Sequence, residues 1–103
     1  MVVNYLQPLF PDARREPLRS NADIGDIGGI ADLVVQVKVV REMALAGWVD
    51  AAAKQADRKG VPHYVVVHKR RGRGNPGEWY ATLPLKVFAA LYAEVLAPHV
   101  NVR

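Results

Sequence analysis

The sequence contains no cysteine. This absence excludes disulfide frameworks, thiolate zinc sites, iron–sulfur clusters and a cysteine nucleophile. Long apolar runs are missing as well, since none approaches the roughly 18 residues that a membrane-spanning helix requires. The opening segment, residues 1–6, has neither the basic start nor the apolar run of a secretory signal. We therefore expect no membrane association and a cytoplasmic location.

The residues that are present describe a globular protein with an uneven charge distribution. Of 103 residues, 50% are apolar and 23% are charged, so we expect a single domain over residues 1–103. Up to Ala52 the chain holds five basic and seven acidic residues, whereas the remainder holds nine basic and three acidic ones. Acidic residues concentrate in the segment Asp23–Asp32, and basic residues in Lys69–Arg73. This asymmetry suggests one region that binds a cation and another that binds a polyanion.

Alternation and β-branched residues predict five strands. Two of them, residues 33–40 and 64–69, are nearly continuous in apolar character, as expected for strands that are covered on both faces. A third good strand is predicted at residues 78–83. Weaker patterns predict an edge strand at residues 13–20, and a short strand followed by a bend within residues 23–30. The loop at residues 70–77 would join the last two strands as a hairpin.

Two helices are predicted between and after these strands. The first covers residues 43–59, with an apolar face at helical spacing, and Gly60 ends it. The second opens at Pro84 as its first helical position. Its buried face is predicted to carry Leu85, Phe88, Ala89, Tyr92 and Val95. Together these elements predict a small mixed α/β fold with helices packed on a sheet.

Two polar residues interrupt the apolar strand at residues 33–40. Gln36 and Lys38 share one face of that strand, because side chains alternate with a period of two. Burying an unpaired lysine is costly, so Lys38 should meet a carboxylate, a metal-bound water or a phosphate. Asp26 lies ten residues before Gln36, a separation that allows an antiparallel neighbour to return its carboxylate to the same place. The three residues would then form an Mg²⁺ site at a sheet edge, in which Lys38 orients the attacking water.

Other interpretations of these residues stay open. Gln36 and Lys38 are equally compatible with a solvated strand face, in which case Asp26 only shapes a turn. Asp32 and Asp23 are the second choices for the metal-binding aspartate. Asp32 precedes Gln36 by roughly 13 Å of extended strand, which is too far for both to bind one ion without a bend.

A basic loop follows the second apolar strand. Its four cations occupy five consecutive positions: Lys69, Arg70, Arg71 and Arg73. Each cation that reaches a phosphate releases a counterion, and the intervening glycines let the chain approach a DNA backbone. We therefore predict that this loop binds DNA phosphates and that His68, at the end of the strand, is a further DNA contact. An ordinary solvated hairpin tip is the alternative.

Several segments, taken together, resemble one nuclease family. They are GDIGGI at 25–30, VVQVK at 34–38, LAGWVD at 45–50, HKRRGRG at 68–74 and the pair Trp79-Tyr80. In order and spacing, the chain from about Arg14 to Leu91 resembles the phage-encoded Holliday-junction resolvase family of the PD-(D/E)XK nuclease superfamily. The resemblance implies a restriction-endonuclease-like fold and hydrolysis of DNA phosphodiesters with Mg²⁺ or Mn²⁺. It also implies branched DNA as substrate, such as a four-way junction, and a homodimer in the cytoplasm of a phage-infected bacterium.

The resemblance further implies roles for single residues. Asp26 matches the metal-binding aspartate, Gln36 the position usually held by glutamate, and Lys38 the motif lysine, with a backbone carbonyl near Val37 assisting the metal. Because Gln36 is neutral, the cation should bind less tightly. Family members usually carry a longer amino-terminal helix with another glutamate, for which Glu16 is the nearest acidic residue here. The alternative function is a non-catalytic DNA- or partner-binding module that keeps the nuclease fold.

Overall fold

Within the residues that the structure describes, the fold is a five-stranded mixed sheet with three helices. A computed structural model describes residues 1–17 and 26–98. Its elements are α1 (Val2–Leu6), β1 (Arg14–Arg15), β2 (Ile27–Gly28), β3 (Leu33–Lys38), α2 (Leu45–Lys59), β4 (His63–His68), a 3₁₀ turn (Pro76–Glu78), β5 (Tyr80–Thr82) and α3 (Leu85–Leu96). The expectation of a mixed α/β fold is confirmed. None of the helices in these ranges is long and apolar enough to cross a membrane.

The strands lie in the order in which they occur along the chain, β1 to β5. β3 and β4 run parallel and are joined by the crossover helix α2, with Leu33 opposite His63 and Lys38 opposite His68. The other neighbouring pairs are antiparallel. The two nearly continuous apolar runs form β3 and β4, as predicted, because the third and fourth strands have a neighbour on each side and a covered surface on each face.

The first and last strands of the sheet, β1 and β5, are shorter than predicted. β1 ends before Pro17, which has no N–H to continue the ladder, and β5 begins only at Tyr80 because the 3₁₀ turn extends to Glu78. Residues 18–25 lie outside the described residues, so the rest of the first two predicted strands, including Asp23, is not described. The hairpin between β4 and β5 is confirmed by the pairing of His68 with Tyr80.

Apolar side chains on the two faces of the sheet form two separate clusters. Alternation along β3 divides them, since Val35 packs on the α1 side and Val34 packs on the α2 side. The α1-side cluster consists of Val2, Ala13, Ile27, Ile30, Val35 and Trp79. The α2-side cluster consists of Val34, Ala52, Ala56, Tyr64, Val66 and Val87. Successive residues of β3 therefore point alternately to the α1 side and to the α2 side of the sheet.

Helix α2 agrees with its sequence pattern. Ala52 and Ala56 are buried against the sheet, and Trp48 and Val49 pack beside them. Gly60 ends the helix with a φ of +75°, in the left-handed region that glycine adopts without a steric penalty.

The predicted buried face of α3 is wrong. All five residues of that face are exposed, namely Leu85, Phe88, Ala89, Tyr92 and Val95. Helix α3 packs instead through Val87 and Leu91. These two residues lie on one stripe with Glu94, whose carboxylate is 2.8 Å from His63 Nε2 on β4. This hydrogen bond and the two apolar contacts fix the rotation of the helix, so the wider apolar stripe faces outward. Pro84 is the residue before the helix and not its first position.

The turn between β2 and β3 depends on one glycine. Gly29 has a φ of +83°, and a β-carbon there would overlap the backbone carbonyl of Asp12. Asp32 also adopts a positive φ of 62° in this turn. Any side chain at position 29 would displace the segment before β1, so Gly29 sets how closely that segment packs against the turn that follows Asp26.

Candidate functional site

Asp26 is held against β3 by a β-bulge. Ile27 pairs with Val35, and the N–H of Asp26 also donates to the Val35 carbonyl at 2.9 Å. Two consecutive residues therefore face one partner, an arrangement that re-aims side chains and recurs next to active sites. Asp26 Oδ2 accepts a hydrogen bond from the N–H of Val37 at 2.7 Å. The antiparallel return of Asp26 to the motif strand is thus observed, and its direct contact is the backbone of Val37.

Glu16 lies directly across from Asp26. Arg15 pairs with Ile27 in the antiparallel register, so Glu16 is the next residue opposite Asp26, and its N–H donates to the Asp26 carbonyl at 2.9 Å. The Glu16 side chain is only 10% exposed, and its Oε1 lies 3.5 Å from Arg14 Nε. Asp26 and Glu16 are therefore opposite residues on neighbouring strands, where like charges destabilise each other and a bound cation would relieve the repulsion.

These two carboxylates line a cavity of about 380 Å³ on the α1 side of the sheet. Its apolar wall comes from α1, from β2 and β3, and from Trp79, and its charged side chains are Arg15, Glu16, Asp26 and Lys69. We call it the carboxylate cavity. Mg²⁺ binds oxygen ligands and is typically held by one or two carboxylates, with waters and substrate phosphates completing the set. The pair fits that donor set, although residues 1–17 and 26–98 contain no group of three or more His, Asp or Glu side chains placed to hold a metal ion.

Gln36 and Lys38 lie on the other face of β3. They share the parity of Val34, which packs against α2, whereas Asp26 lines its cavity together with Val37. Gln36 is buried, and its Oε1 has no hydrogen-bond partner among the described residues. Lys38 is half-buried and opposes His68 in the parallel register. In the described part of the chain, no hydrogen bond or ion pair joins either residue to Asp26.

A second cavity, of about 540 Å³, opens at the carboxyl ends of β3 and β4. We call it the basic cleft. Its lining includes four of the five residues predicted to contact DNA. Arg41, a cation that the sequence does not single out, lines it as well. The four are His68, Lys69, Arg70 and Arg71. The fifth, Arg73, lies outside the cleft, where its guanidinium is 3.4 Å from the carboxylate of Glu78.

His68 forms part of the floor of the basic cleft. Its Nε2 lies 2.8 Å from Thr82 Oγ1, and its ring lies between those of Trp48 and Tyr80, with centroid distances of 6.1 and 5.7 Å. Burial lowers the pKa of His68 from its ordinary value, so the ring is neutral at pH 7. His68 therefore shapes the cleft and adds no positive charge to it.

The carboxylate cavity and the basic cleft share two lining residues, Val39 and Lys69. Both follow directly after parallel strands, whose carboxyl ends meet at one edge of the sheet. Sequence reasoning missed Arg41 and did not assign Glu16. Arg41 was detectable, because parallel pairing of the two apolar strands brings the residues after each of them together. The position of Glu16 opposite Asp26 was not detectable, because it depends on the register in which the two residues of β1 pair with β2.

Comparisons of this chain with protein-family models, with curated proteins and with solved structures find no match. What the chain does is therefore inferred from its own residues, of which a carboxylate pair beside a cluster of cations is the most informative group.

Proposed function

We propose that this chain is a metal-dependent DNA endonuclease that cleaves branched DNA, with four-way junctions as its substrate. The observation that carries the proposal is the adjacency of the carboxylate cavity and the basic cleft, which share Lys69. Metal-dependent hydrolysis of a DNA phosphodiester requires a divalent cation beside a site that holds the DNA backbone. The family resemblance supports the same activity, with a restriction-endonuclease-like fold and a bacterial cytoplasm as its setting.

Asp26 and Glu16 are the residues that would hold Mg²⁺ or Mn²⁺ in this proposal. When bound, such an ion polarises the phosphate and lowers the pKa of a bound water. One oxygen of Asp26 is occupied by the N–H of Val37, which orients the carboxylate and leaves the other oxygen for the cation. Glu16 supplies the second negative charge, which Gln36 cannot supply.

Two lysines compete for the role of the amine that offsets charge on the phosphate. The resemblance assigns this role to Lys38, while Lys69 lines the carboxylate cavity itself. Lys69 Nζ lies 6.0 Å from the centroid of the Trp79 ring, which holds the amine over the cavity wall. Paired variants separate the two: whichever of Lys38→Ala and Lys69→Ala loses cleavage at saturating DNA identifies the amine.

The cations of the basic cleft would hold the DNA arms through their phosphates. Lys69, Arg70 and Arg71 provide positive charge at one end of the sheet, where Arg41 joins them. The proposal includes a homodimer, because two copies related by a two-fold axis present two sites to strands of opposite polarity. Sedimentation with and without a junction measures that stoichiometry.

The test is cleavage of an end-labelled four-way junction beside a linear duplex of the same sequence. Reactions contain Mg²⁺, Mn²⁺ or a chelator, and Asp26→Asn is compared with Asp50→Asn, an exposed aspartate on α2. We expect paired nicks at the junction that require metal, persist in Asp50→Asn and disappear in Asp26→Asn. Metal-independent cleavage, or equal cleavage by both variants, would contradict the proposal.

A non-catalytic DNA-binding module is the second candidate. It is favoured by Gln36, which is neutral and buried on the face of β3 away from Asp26. This candidate predicts junction binding with no cleavage under any metal. It also predicts that Asp26→Asn changes nothing but stability, so the same experiment separates the two functions.

A further inference from the structure

The basic cleft contains more than phosphate binding requires. Tyr80 lines it with 51% of its surface exposed, although it lies next to the buried Trp79. Three apolar side chains in the same cleft are exposed as well: Val39, Val40 and Met43, at 57%, 59% and 64%. A phosphate backbone needs cations and backbone N–H groups, and it gains nothing from an exposed ring or from aliphatic side chains.

We propose that the basic cleft binds an unpaired nucleotide, whose base stacks on the ring of Tyr80 while Arg70 and Arg71 hold its phosphates. This inference rests on the proposed function, in which the cleft binds DNA, and it names the form of DNA that the cleft prefers. A half-exposed aromatic ring beside cations is the combination that single-strand binding sites use.

The Tyr80 ring is held in place by its neighbours. It opposes His68 across β4 and β5, and the two rings are tilted by 56° with a centroid distance of 5.7 Å. His68 is itself fixed by Thr82. The Arg70 guanidinium carbon lies 5.9 Å from the centroid of the Tyr80 ring. Aromatic rings are surfaces on which unpaired bases stack, and Arg70 places a cation for the phosphate next to that surface.

The exposed apolar side chains that line the same cleft favour a base over water. In a duplex each base is stacked inside the helix, and its faces are not available to Tyr80. An unpaired nucleotide, such as one at the branch point of a junction or in a frayed arm, exposes its faces and reaches both the ring and the aliphatic wall. The cleft should therefore discriminate by strand form and not by base sequence.

Fluorescence anisotropy with a labelled oligonucleotide tests this inference, using the single strand and its matched duplex at one fixed salt concentration. A chelator is present, so that no cleavage occurs. Tyr80→Ala removes the ring, Tyr80→Leu keeps an apolar side chain without an aromatic face, and Tyr80→Phe keeps the face. Tyr92→Ala is the matched control, because Tyr92 is also 51% exposed and lies on α3.

The wild type is expected to bind the single strand more tightly than the duplex. Tyr80→Ala and Tyr80→Leu should weaken single-strand binding by roughly fivefold to tenfold, the lower end of the effect of losing one stacked base. The affinity for the duplex should stay within about twofold of the wild type in every Tyr80 variant. The single-strand affinity of Tyr80→Phe and of Tyr92→Ala should also stay within about twofold of the wild type. Thermal unfolding of each variant confirms that the fold is retained.

Two further outcomes separate this inference from the proposed function. In the first outcome, the double variant Arg70→Ala, Arg71→Ala binds both the single strand and the duplex more weakly, whereas Tyr80→Leu weakens binding of neither form or of both equally. That result overturns the stacking site but leaves the DNA-binding cleft in place. If the double arginine variant weakens neither form, the cleft does not bind DNA, and the stacking site is overturned together with the proposed function.

Discussion

The carboxylate cavity and the basic cleft adjoin at one end of the sheet, yet they are built in different ways. In the carboxylate cavity, Asp26 is placed by a β-bulge and by a hydrogen bond from the Val37 N–H, and Glu16 is placed by strand register. In the basic cleft, the cations extend from segments beyond the ends of β3 and β4. Backbone contacts give the first region fixed geometry, and exposed segments give the second region charge. Bond cleavage needs fixed geometry, and binding of a polyanion needs positive charge.

The largest expected effect comes from Asp26→Asn, which removes the charge but retains an oxygen for the Val37 N–H. The rate of junction cleavage should fall roughly 1,000-fold, because a metal ion contributes several kcal/mol of transition-state stabilisation and each 1.4 kcal/mol is a factor of ten. Junction affinity in chelator should stay within about twofold. A variant that cleaves at the wild-type rate would remove the carboxylate cavity from the chemistry.

Next in size is the double variant Arg70→Ala with Arg71→Ala, which targets the basic cleft alone. Junction affinity should fall about tenfold, and the slope of log Kd against log salt should decrease by roughly 1.4 to 1.8, since each of the two phosphate contacts contributes about 0.7 to 0.9. Titrations at several salt concentrations measure both quantities. Arg73→Ala is the control, because Arg73 lies outside the cleft and pairs with Glu78. An equal change of slope in the control would mean that the positive charge acts without the cleft.

A smaller effect is expected for Glu16→Gln. The Mg²⁺ concentration that gives half-maximal cleavage should rise by about threefold to tenfold, because one of two anionic ligands is lost. At saturating Mg²⁺ most of the rate should return, unlike in Asp26→Asn. A metal titration of both variants gives this comparison, and an unchanged midpoint in Glu16→Gln would limit the metal site to Asp26.

The smallest expected effect concerns His68. Burial lowers its pKa in the folded protein, so below about pH 6.5 the unfolded chain binds the proton more readily than the folded one. His68 should therefore make the free energy of unfolding decrease as the pH falls from 7 toward 5. Urea unfolding at several pH values should show a shallower decrease in His68→Gln than in the wild type. Identical pH dependence would mean that His68 is not buried as a neutral ring.

The regular parts of the fold follow from local patterns. β3, β4 and α2 each have a repeating apolar pattern and, for α2, a terminating glycine, and all three occur where the sequence predicts them. The buried face of α3 was mispredicted because its widest apolar stripe does not face the core. The hydrogen bond between Glu94 and His63, together with the packing of Val87 and Leu91, decides the rotation, and a partner 31 residues away cannot be predicted from periodicity.

The candidate site shows the same division. The separation of Asp26 from Gln36 predicts an antiparallel return, and the return is observed. Periodicity does not predict a bulge, however, and the bulge directs Asp26 to the side of Val37 while Gln36 and Lys38 lie on the other side. The basic residues of the cleft were recognisable because they are consecutive in the chain, whereas Glu16 becomes a neighbour of Asp26 only through strand pairing.

Separate roles for the carboxylate cavity and the basic cleft are tested most directly by single-turnover cleavage of a four-way junction at saturating protein. The experiment compares Asp26→Asn with the double variant Arg70→Ala, Arg71→Ala. We predict that the arginine variant recovers most of the wild-type rate once DNA is saturated, while Asp26→Asn stays roughly 1,000-fold slower at every protein concentration although it binds the junction. Recovery of cleavage by Asp26→Asn, or permanent loss in both variants, would contradict a division of labour between the carboxylate cavity and the basic cleft.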